Sequence, residues 1–248
     1  PDEFIPIAEE CGLIVPIGRI MLRKACADVR DWLASGRDPL SVAVNVSPVE
    51  LRNRDFLPGL LEILRDTGMN PNLLQLEVTE TALMGNIGTS QWILDALKKE
   101  GVHIALDDFG TGYSSFAYLK QLPLSCLKID REFVRDLGEE SGSNDGEVIV
   151  RTLIQLAHNL GLRVIAEGVE TSDQLAVLCS LGCDEMQGWL YSRALSARAD
   201  RLEALLMPGQ IQEPWSSLPP ARPLNSLVRL DTAVADPSPA DDGAQVRL

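Results

Sequence analysis

Residues 90–108, SQWILDALKKEGVHIALDD, contain the structural unit that this chain repeats. Apolar residues recur at helical spacing before Gly101, and the run at 103–107 is apolar up to Asp107, which Asp108 follows. A glycine just after a helix takes positive φ without steric cost, so it commonly terminates helices. The stretch therefore predicts a helix, a tight turn and a buried strand that ends in two carboxylates.

The same unit recurs outward from this stretch in both directions. Predicted strands follow predicted helices at 42–45, 74–77, 103–107, 126–129, 163–166 and 184–187. Two helix starts have the sequence of a capping box: Ser47 to Glu50, and Thr171 to Gln174. The helix after Ser47 is predicted to continue to Thr67. This alternation of helices and strands favours an α/β fold with a parallel sheet.

Each predicted strand has a polar side chain at its carboxyl end. In chain order these are Asn45, Glu77, Asp107 with Asp108, Lys128, Glu167 and Gln187. An open doubly wound sheet uses only the strands beside its switch point for a site, whereas all strands of a closed barrel end at one mouth. The pattern therefore favours a (β/α)8-type barrel.

The barrel is predicted to be incomplete, because about six of the eight strands are visible. Residues 1–36 offer a loop and a helix but no strand. We therefore expect the chain to be a fragment that lacks the first two strands. In that case the strand at 42–45 and the last strand have exposed edges.

Composition excludes several classes of protein. The chain has 248 residues, a net charge of −14 and 45% hydrophobic residues, which fits a globular core and argues against binding to duplex nucleic acid. Five cysteines without CxxC spacing indicate reduced thiols in a cytoplasmic protein. We expect one domain over 1–207 and a disordered, proline-rich tail over 208–248.

The polar strand ends favour a metal site. Carboxylates packed together repel one another, and a cation relieves that repulsion. Oxygen ligands select hard ions such as Mg²⁺, Mn²⁺ or Ca²⁺, and the adjacent Asp107 and Asp108 suit two metals that share a bridging carboxylate. Lys128 is expected near the metals, where it could orient or deprotonate a nucleophilic water.

Residues 107–115, DDFGTGYSS, resemble the signature loop of the EAL-domain cyclic-di-GMP phosphodiesterases. Further segments resemble motifs of that family in the same order, at 1–9, 45–47, 77–80, 128–130, 166–170 and 187–188. The resemblance covers residues 1 to about 207 and begins just after the place of the family's Glu-Ala-Leu motif. It implies a modified (β/α)8 barrel and the hydrolysis of cyclic di-GMP to linear pGpG.

The resemblance also implies a role for individual residues. The metal ligands would be Asn45, Glu77, Asp107, Asp108 and Glu167. The catalytic group would be Lys128, Glu170 and Gln187, with Asp130 as a substrate-binding residue and Glu80 as the anchor of the loop at 108–115. The implied cofactor is a pair of Mg²⁺ or Mn²⁺ ions, with Ca²⁺ inhibitory, and the implied partners are a second copy of the chain and an upstream sensory or GGDEF domain.

Two other functions stay open beside a phosphodiesterase. One is a receptor that binds cyclic di-GMP without cleaving it, and the other is an unrelated metal-dependent lyase that uses Lys128 as a base. Because the family's Glu-Ala-Leu motif would lie ahead of Pro1, we expect residues 1–248 alone to hydrolyse the dinucleotide weakly or not at all.

Overall fold

A computed structural model describes residues 1, 3–36, 39–84, 87–110, 119–138, 145–190, 229–231 and 245–247. Six strands form a parallel, curled sheet in chain order, with the shape of a half-barrel. They are β1 (Ser41–Val46), β2 (Leu74–Thr79), β3 (His103–Phe109), β4 (Cys126–Ile129), β5 (Arg163–Ala166) and β6 (Glu185–Met186). The predicted α/β barrel class is confirmed, and the strand positions agree with the sequence pattern to within two residues.

Helices lie before, between and after these strands. They are α1 (Phe4–Glu10), α2 (Ile14–Ala34), α3 (Pro48–Leu51), α4 (Phe56–Thr67), α5 (Glu80–Met84), α6 (Ile87–Lys99), α7 (Arg131–Arg135), α8 (Asp145–Asn159) and α9 (Ser172–Leu181), with a 3-10 helix at Pro71–Leu73. Both capping boxes are present, at Ser47 with Glu50 and at Thr171 with Gln174. No described helix is both long and apolar enough to cross a membrane.

The prediction of one continuous helix over 48–67 was wrong. The chain leaves the helical path after Leu51 and resumes it at Phe56. Asn53 causes the break, because its side-chain oxygen accepts a hydrogen bond from the backbone N–H of Asp55 at 2.8 Å. Such local bonds offer the backbone an alternative to the helix.

The two faces of the sheet differ in character because side chains alternate along a strand. Leu76, Leu106 and Leu127 belong to the large apolar cluster that the strands share with the helices. Ala105 and Cys126 belong with Ile165 to a separate small cluster. Residues two further along these three strands are Asp107, Lys128 and Glu167, so the same face becomes polar at its carboxyl end.

Two short strands from the last forty residues extend the sheet beyond β1. β7 (Arg229–Asp231) pairs in parallel with β1 through Ser41 to Ala43, and β8 (Gln245–Arg247) pairs antiparallel with β7. The expectation of an exposed edge on the first strand is therefore wrong in this structure. The rest of the expected tail lies outside the described residues.

Candidate active site

Lys128 is the centre of the polar cluster at the carboxyl ends of the strands. Its ammonium nitrogen, Nζ, lies 2.7 Å from Oε2 of Glu77, 2.8 Å from Oδ1 of Asp107 and 2.5 Å from Oε1 of Glu167. The side chain of Lys128 is 3% exposed and that of Glu77 is fully buried. The strands β2, β3 and β4 and the residue just after β5 thus bring one charged group each to a single point.

The charges of this cluster do not balance. With the three carboxylates ionised, the ammonium of Lys128 compensates one of them and leaves two negative charges in a largely buried place. Within the described part of the chain, no group of three or more His, Cys, Asp or Glu side chains is arranged so that it could hold a metal ion. The point on which the three carboxylate oxygens converge is occupied by the ammonium nitrogen of Lys128. The residue types and the excess negative charge, rather than this geometry, suit a divalent cation.

Asp108 lies beside this cluster in an unusual conformation. Its φ of 54° is the one positive value among the described residues other than glycine, and such strain often accompanies functional sites. Its backbone N–H donates to Oδ1 of Asp107 at 3.1 Å. Burial, followed by the negative charges of Asp107 and Asp130, raises the pKa of the Asp108 carboxyl. A nearby cation would relieve that unfavourable environment.

Asp130 acts as the N-cap of α7. Its side-chain oxygen accepts a hydrogen bond from the backbone N–H of Glu132 at 2.7 Å. The nearby carboxyl of Asp130 contributes to the raised pKa of Asp108.

Asn45 occupies the neighbouring strand end on the other side of the cluster. It is the register partner of Glu77 across β1 and β2, and its side chain is exposed. The turn that follows it is fixed by the capping box, in which the backbone N–H of Ser47 donates to Oε2 of Glu50 at 3.0 Å. Asn45 is therefore next to Glu77 in the sheet and exposed to solvent.

Glu80 is the first residue of α5 and is 9% exposed. Its Oε2 atom is buried and has no hydrogen-bond partner among the described residues. The loop that it was expected to anchor is described only as far as Gly110, since 111–118 lie outside the described residues. At Gly110, φ is 102° and a Cβ would lie 2.9 Å from the Phe133 ring, so both conformation and space require glycine there.

Glu170 and Gln187 belong to two loops that are bonded to each other. Gln187 accepts a hydrogen bond from the N–H of Val169 at 3.0 Å through its backbone carbonyl, and donates its own N–H to Ala166 at 2.8 Å. Glu170 is exposed, and its N–H donates to the side chain of Gln174 at 2.8 Å. These two predicted catalytic residues thus flank the strand end that carries Glu167.

Three features of the site were not inferred from the sequence. The first is that Lys128 bonds to three carboxylates at once. The second is Gln75, which is 1% exposed and donates from its amide to Oε1 of Glu77 at 3.4 Å. The third is the hydrogen bond that the side chain of Gln174 accepts from the backbone N–H of Glu170. The bond between Gln75 and Glu77 has a sequence signal. Side chains two residues apart on a strand lie on the same face, so a polar residue two positions before a strand-end carboxylate predicts such a bond.

Comparison with known proteins identifies a family for most of the chain. Residues 1–194 match the model of the EAL domain family. The chain is 42% identical over 197 residues to the bifunctional diguanylate cyclase/cyclic di-GMP phosphodiesterase MucR of Pseudomonas aeruginosa, which is 79% of this chain and 28% of MucR. It is 41% identical over 225 residues to the cyclic di-GMP phosphodiesterase NbdA of the same organism, which is 91% of this chain and 28% of NbdA. The chain thus spans between a quarter and a third of these relatives.

Solved structures of other proteins have the same fold as this chain. The PaMucR phosphodiesterase in its c-di-GMP complex has a TM-score of 0.73 and 42% identity, over 78% of this chain and 77% of that one. The EAL domain of Mycobacterium smegmatis DcpA has a TM-score of 0.66 and 41% identity, over 71% of this chain and 78% of that one. With its half-barrel, its strand-end carboxylates and these matches, the chain belongs to the EAL domain family.

Proposed function

We propose that this chain provides the catalytic face of a cyclic-di-GMP phosphodiesterase that hydrolyses one phosphodiester bond to give linear pGpG with Mg²⁺ or Mn²⁺. The observation that carries the proposal is the convergence of Glu77, Asp107 and Glu167 on Lys128 in a member of the EAL domain family. The relatives MucR and NbdA are named as cyclic di-GMP phosphodiesterases, which supports the same substrate here.

The charge of the site supports a divalent cofactor. A chain with a net charge of −14 and an excess of buried carboxylates repels a dianionic dinucleotide. Glu77, Asp107 and Glu167 would hold the cations, with Asn45 and Asp108 completing the ligand set from the adjacent positions. Bound divalent cations would supply Lewis-acid activation of water and would neutralise phosphate charge.

The chain's own groups would then align the reaction. With cations bound to the three carboxylates, the ammonium of Lys128 would orient the attacking water through an N–H donor. If Lys128 first lost a proton, its neutral amine would accept one from that water. Glu170 and Gln187, on the loops that follow β5 and β6, would contact the phosphodiester. The resemblance to the family further supports a homodimer and an upstream domain, both of which stay proposals.

The test uses the purified chain with cyclic di-GMP and Mg²⁺, Mn²⁺, Ca²⁺ or EDTA, and follows pGpG by anion-exchange chromatography and Mn²⁺ binding by calorimetry. We expect Mn²⁺ binding and slow formation of pGpG with Mg²⁺ or Mn²⁺, and neither in Glu77→Gln. The exposed Glu62→Gln serves as the matched control. Absence of Mn²⁺ binding would contradict the proposal. Cyclic di-GMP binding that is equally tight in EDTA and yields no pGpG with any of the ions would assign a receptor instead.

A second variant separates metal binding from catalysis. In Lys128→Met the ammonium no longer competes for the three carboxylates, so we expect Mn²⁺ to bind at least as tightly as in the unaltered chain while pGpG formation falls below detection. Lys99→Met, on the exposed end of α6, is the control. Full turnover by Lys128→Met would exclude Lys128 from the chemistry.

A further inference from the structure

Gln174 is a buried polar residue that lies away from the charged cluster but between two of the segments that build it. It is the third residue of α9, and it is 5% exposed. Its Oε1 accepts hydrogen bonds from the backbone N–H groups of Glu170 at 2.8 Å and Thr171 at 3.1 Å. Its own N–H donates to Oγ1 of Thr171 at 3.2 Å, which completes the capping box.

The amide nitrogen of the same side chain makes a different kind of bond. Nε2 of Gln174 donates to the backbone carbonyl of Arg135 at 3.0 Å, across 39 residues of sequence. Arg135 is the last residue of α7, a short helix that follows β4 and has Asp130 as its N-cap. One side chain therefore bonds the segment after β4 to the loop after β5. Lys128 lies on β4 itself, just before the first of these segments, and Glu167 begins the second.

Capping does not require this second bond. A capping box needs only an acceptor at the third helical position, and glutamate serves as well as glutamine. The other capping box of this chain uses Glu50. The amide donor of Gln174 is therefore unnecessary for the cap, and its structural use is the bond to Arg135.

Close backbone approach at two glycines shows that the two segments are tightly fitted. A Cβ at Gly168, one residue after Glu167, would lie 2.5 Å from Cβ of Arg131, the first residue of α7. A Cβ at Gly138 would lie 2.8 Å from Cβ of Asp173, the residue before Gln174. Because both contacts involve atoms at or next to the backbone, the relative position of the segments has little slack.

We propose that Gln174 is a positioning residue that sets the distance between Lys128 and Glu167, and thereby the metal affinity of the site. This inference rests on the proposed function. Partners of ligating groups that hold them in orientation typically change metal affinity by about 10–100-fold when they are lost. The bond of Gln174 acts one step further out, through the backbone, so the lower end of that range is expected.

The test compares a variant that loses the bond to Arg135 and keeps the cap with a variant that damages the cap and keeps the bond to Arg135. Gln174→Glu keeps both acceptor bonds to Glu170 and Thr171 but loses the donor to Arg135 and places two acceptors opposite each other. Thr171→Ala removes one bond of the capping box and leaves the bond to Arg135 intact. Both should lower the midpoint of urea unfolding.

Mn²⁺ affinity, measured by calorimetry, then separates positioning from stability. We expect Gln174→Glu to bind Mn²⁺ about tenfold more weakly, and Thr171→Ala to bind it as the unaltered chain does. Gln174→Met, which lacks both kinds of bond without adding charge, should bind as weakly as Gln174→Glu. Equal affinity in all variants, or an equal loss in Thr171→Ala, would overturn the inference.

Hydrogen exchange in the metal-free chain distinguishes failure of the inference from failure of the proposed function. In Gln174→Glu we expect faster exchange at the amides of Glu167 and Val169, whereas Thr171→Ala should leave both unchanged. If the unaltered chain bound no Mn²⁺, the proposed function would fail, and the exchange rates alone would decide whether Gln174 holds the two segments. Unchanged exchange in Gln174→Glu would show that it does not.

Discussion

The behaviour of individual residues at this site follows from burial of unbalanced charge. An ion pair that is fully withdrawn from water costs desolvation energy on both partners, so it contributes little net stability unless the geometry is good. Lys128 meets three carboxylates rather than one, all within 2.8 Å. Such an arrangement stores electrostatic repulsion among the carboxylates, which makes it better suited to bind cations than to stabilise the fold.

Glu50 is a second buried carboxyl, and it has a structural role. It is 5% exposed, it accepts the N–H of Ser47, and its Oε1 fills the space that a Cβ at Gly18 would require. Burial, with a smaller contribution from the negative charge of Glu9, raises its pKa to about 7, although the bond from Ser47 opposes the shift. The folded chain therefore holds a proton on Glu50 more tightly than the unfolded chain does.

This shift makes the stability of the chain depend on pH. For an acid whose pKa rises on folding, the stabilising contribution of the proton is complete below the unfolded pKa near 4.5 and is lost as the pH rises through the folded value of about 7. We expect Glu50→Gln to become more stable than the unaltered chain between about pH 5 and pH 8, by about 2 kcal/mol. Urea unfolding across this range measures the difference.

The matched control for this prediction is Glu10→Gln, at an exposed position of α1. It should leave the pH dependence of the unfolding free energy as it is. A parallel pH dependence in Glu50→Gln and the unaltered chain would show that Glu50 does not titrate in this range.

At the scale of elements, the loops at the mouth depend on close contact between backbones. Val169 donates to Gln187, and Leu190 donates to Val169, so the loop after β5 and the segment after β6 are bonded twice. Gly188 lies between these bonds, and a Cβ there would lie 2.0 Å from the carbonyl oxygen of Val169. No side chain rotation can relieve a clash with a backbone atom.

Alanine substitution at two glycines should therefore have opposite effects. We expect Gly188→Ala to lower the unfolding free energy by about 2 kcal/mol, because the two segments must separate. Gly146→Ala, near the start of α8 with no atom within 4 Å of the added Cβ, should raise it by about 0.5 kcal/mol through helix propensity. Urea unfolding of both variants checks this, and an unaffected Gly188→Ala would show that the loop has room to adapt.

At the scale of the whole molecule, a net charge of −14 produces general repulsion that any salt reduces. A site that binds divalent cations stabilises the folded chain further, by about 2.7 kcal/mol when the free ion is at about 100 times its dissociation constant. We expect NaCl at about 0.5 M to raise the melting temperature of the unaltered chain and of Glu77→Gln equally. Dilute MnCl2 should raise only that of the unaltered chain.

Thermal unfolding monitored by circular dichroism measures both effects. The comparison at matched ionic strength is the control, because screening depends on ionic strength and site binding on the ion itself. An equal response of Glu77→Gln to MnCl2 would mean that the cation acts by screening alone.

Much of the architecture could be predicted because its signals are local. Helix ends at glycine, capping boxes at Ser47 and Thr171, and polar residues after apolar runs all act within a few residues of sequence. The break after Leu51 was missed because the competing bond of Asn53 is not visible in apolar periodicity. The pairing of β1 with Arg229–Asp231 was missed for a different reason, since strand pairing over nearly two hundred residues leaves no local pattern.

The sequence by itself determined the fold class, the order of strands and the residue types at the mouth, because periodicity and chain order fix which side chains follow each strand. Only the tertiary structure decided that Glu77, Asp107 and Glu167 meet at the nitrogen of Lys128, and that Gln174 bonds the two segments beside it. Those contacts depend on how far the sheet curls and how closely its loops pack. Both quantities arise from the packing of the whole chain, and no single stretch of sequence contains them.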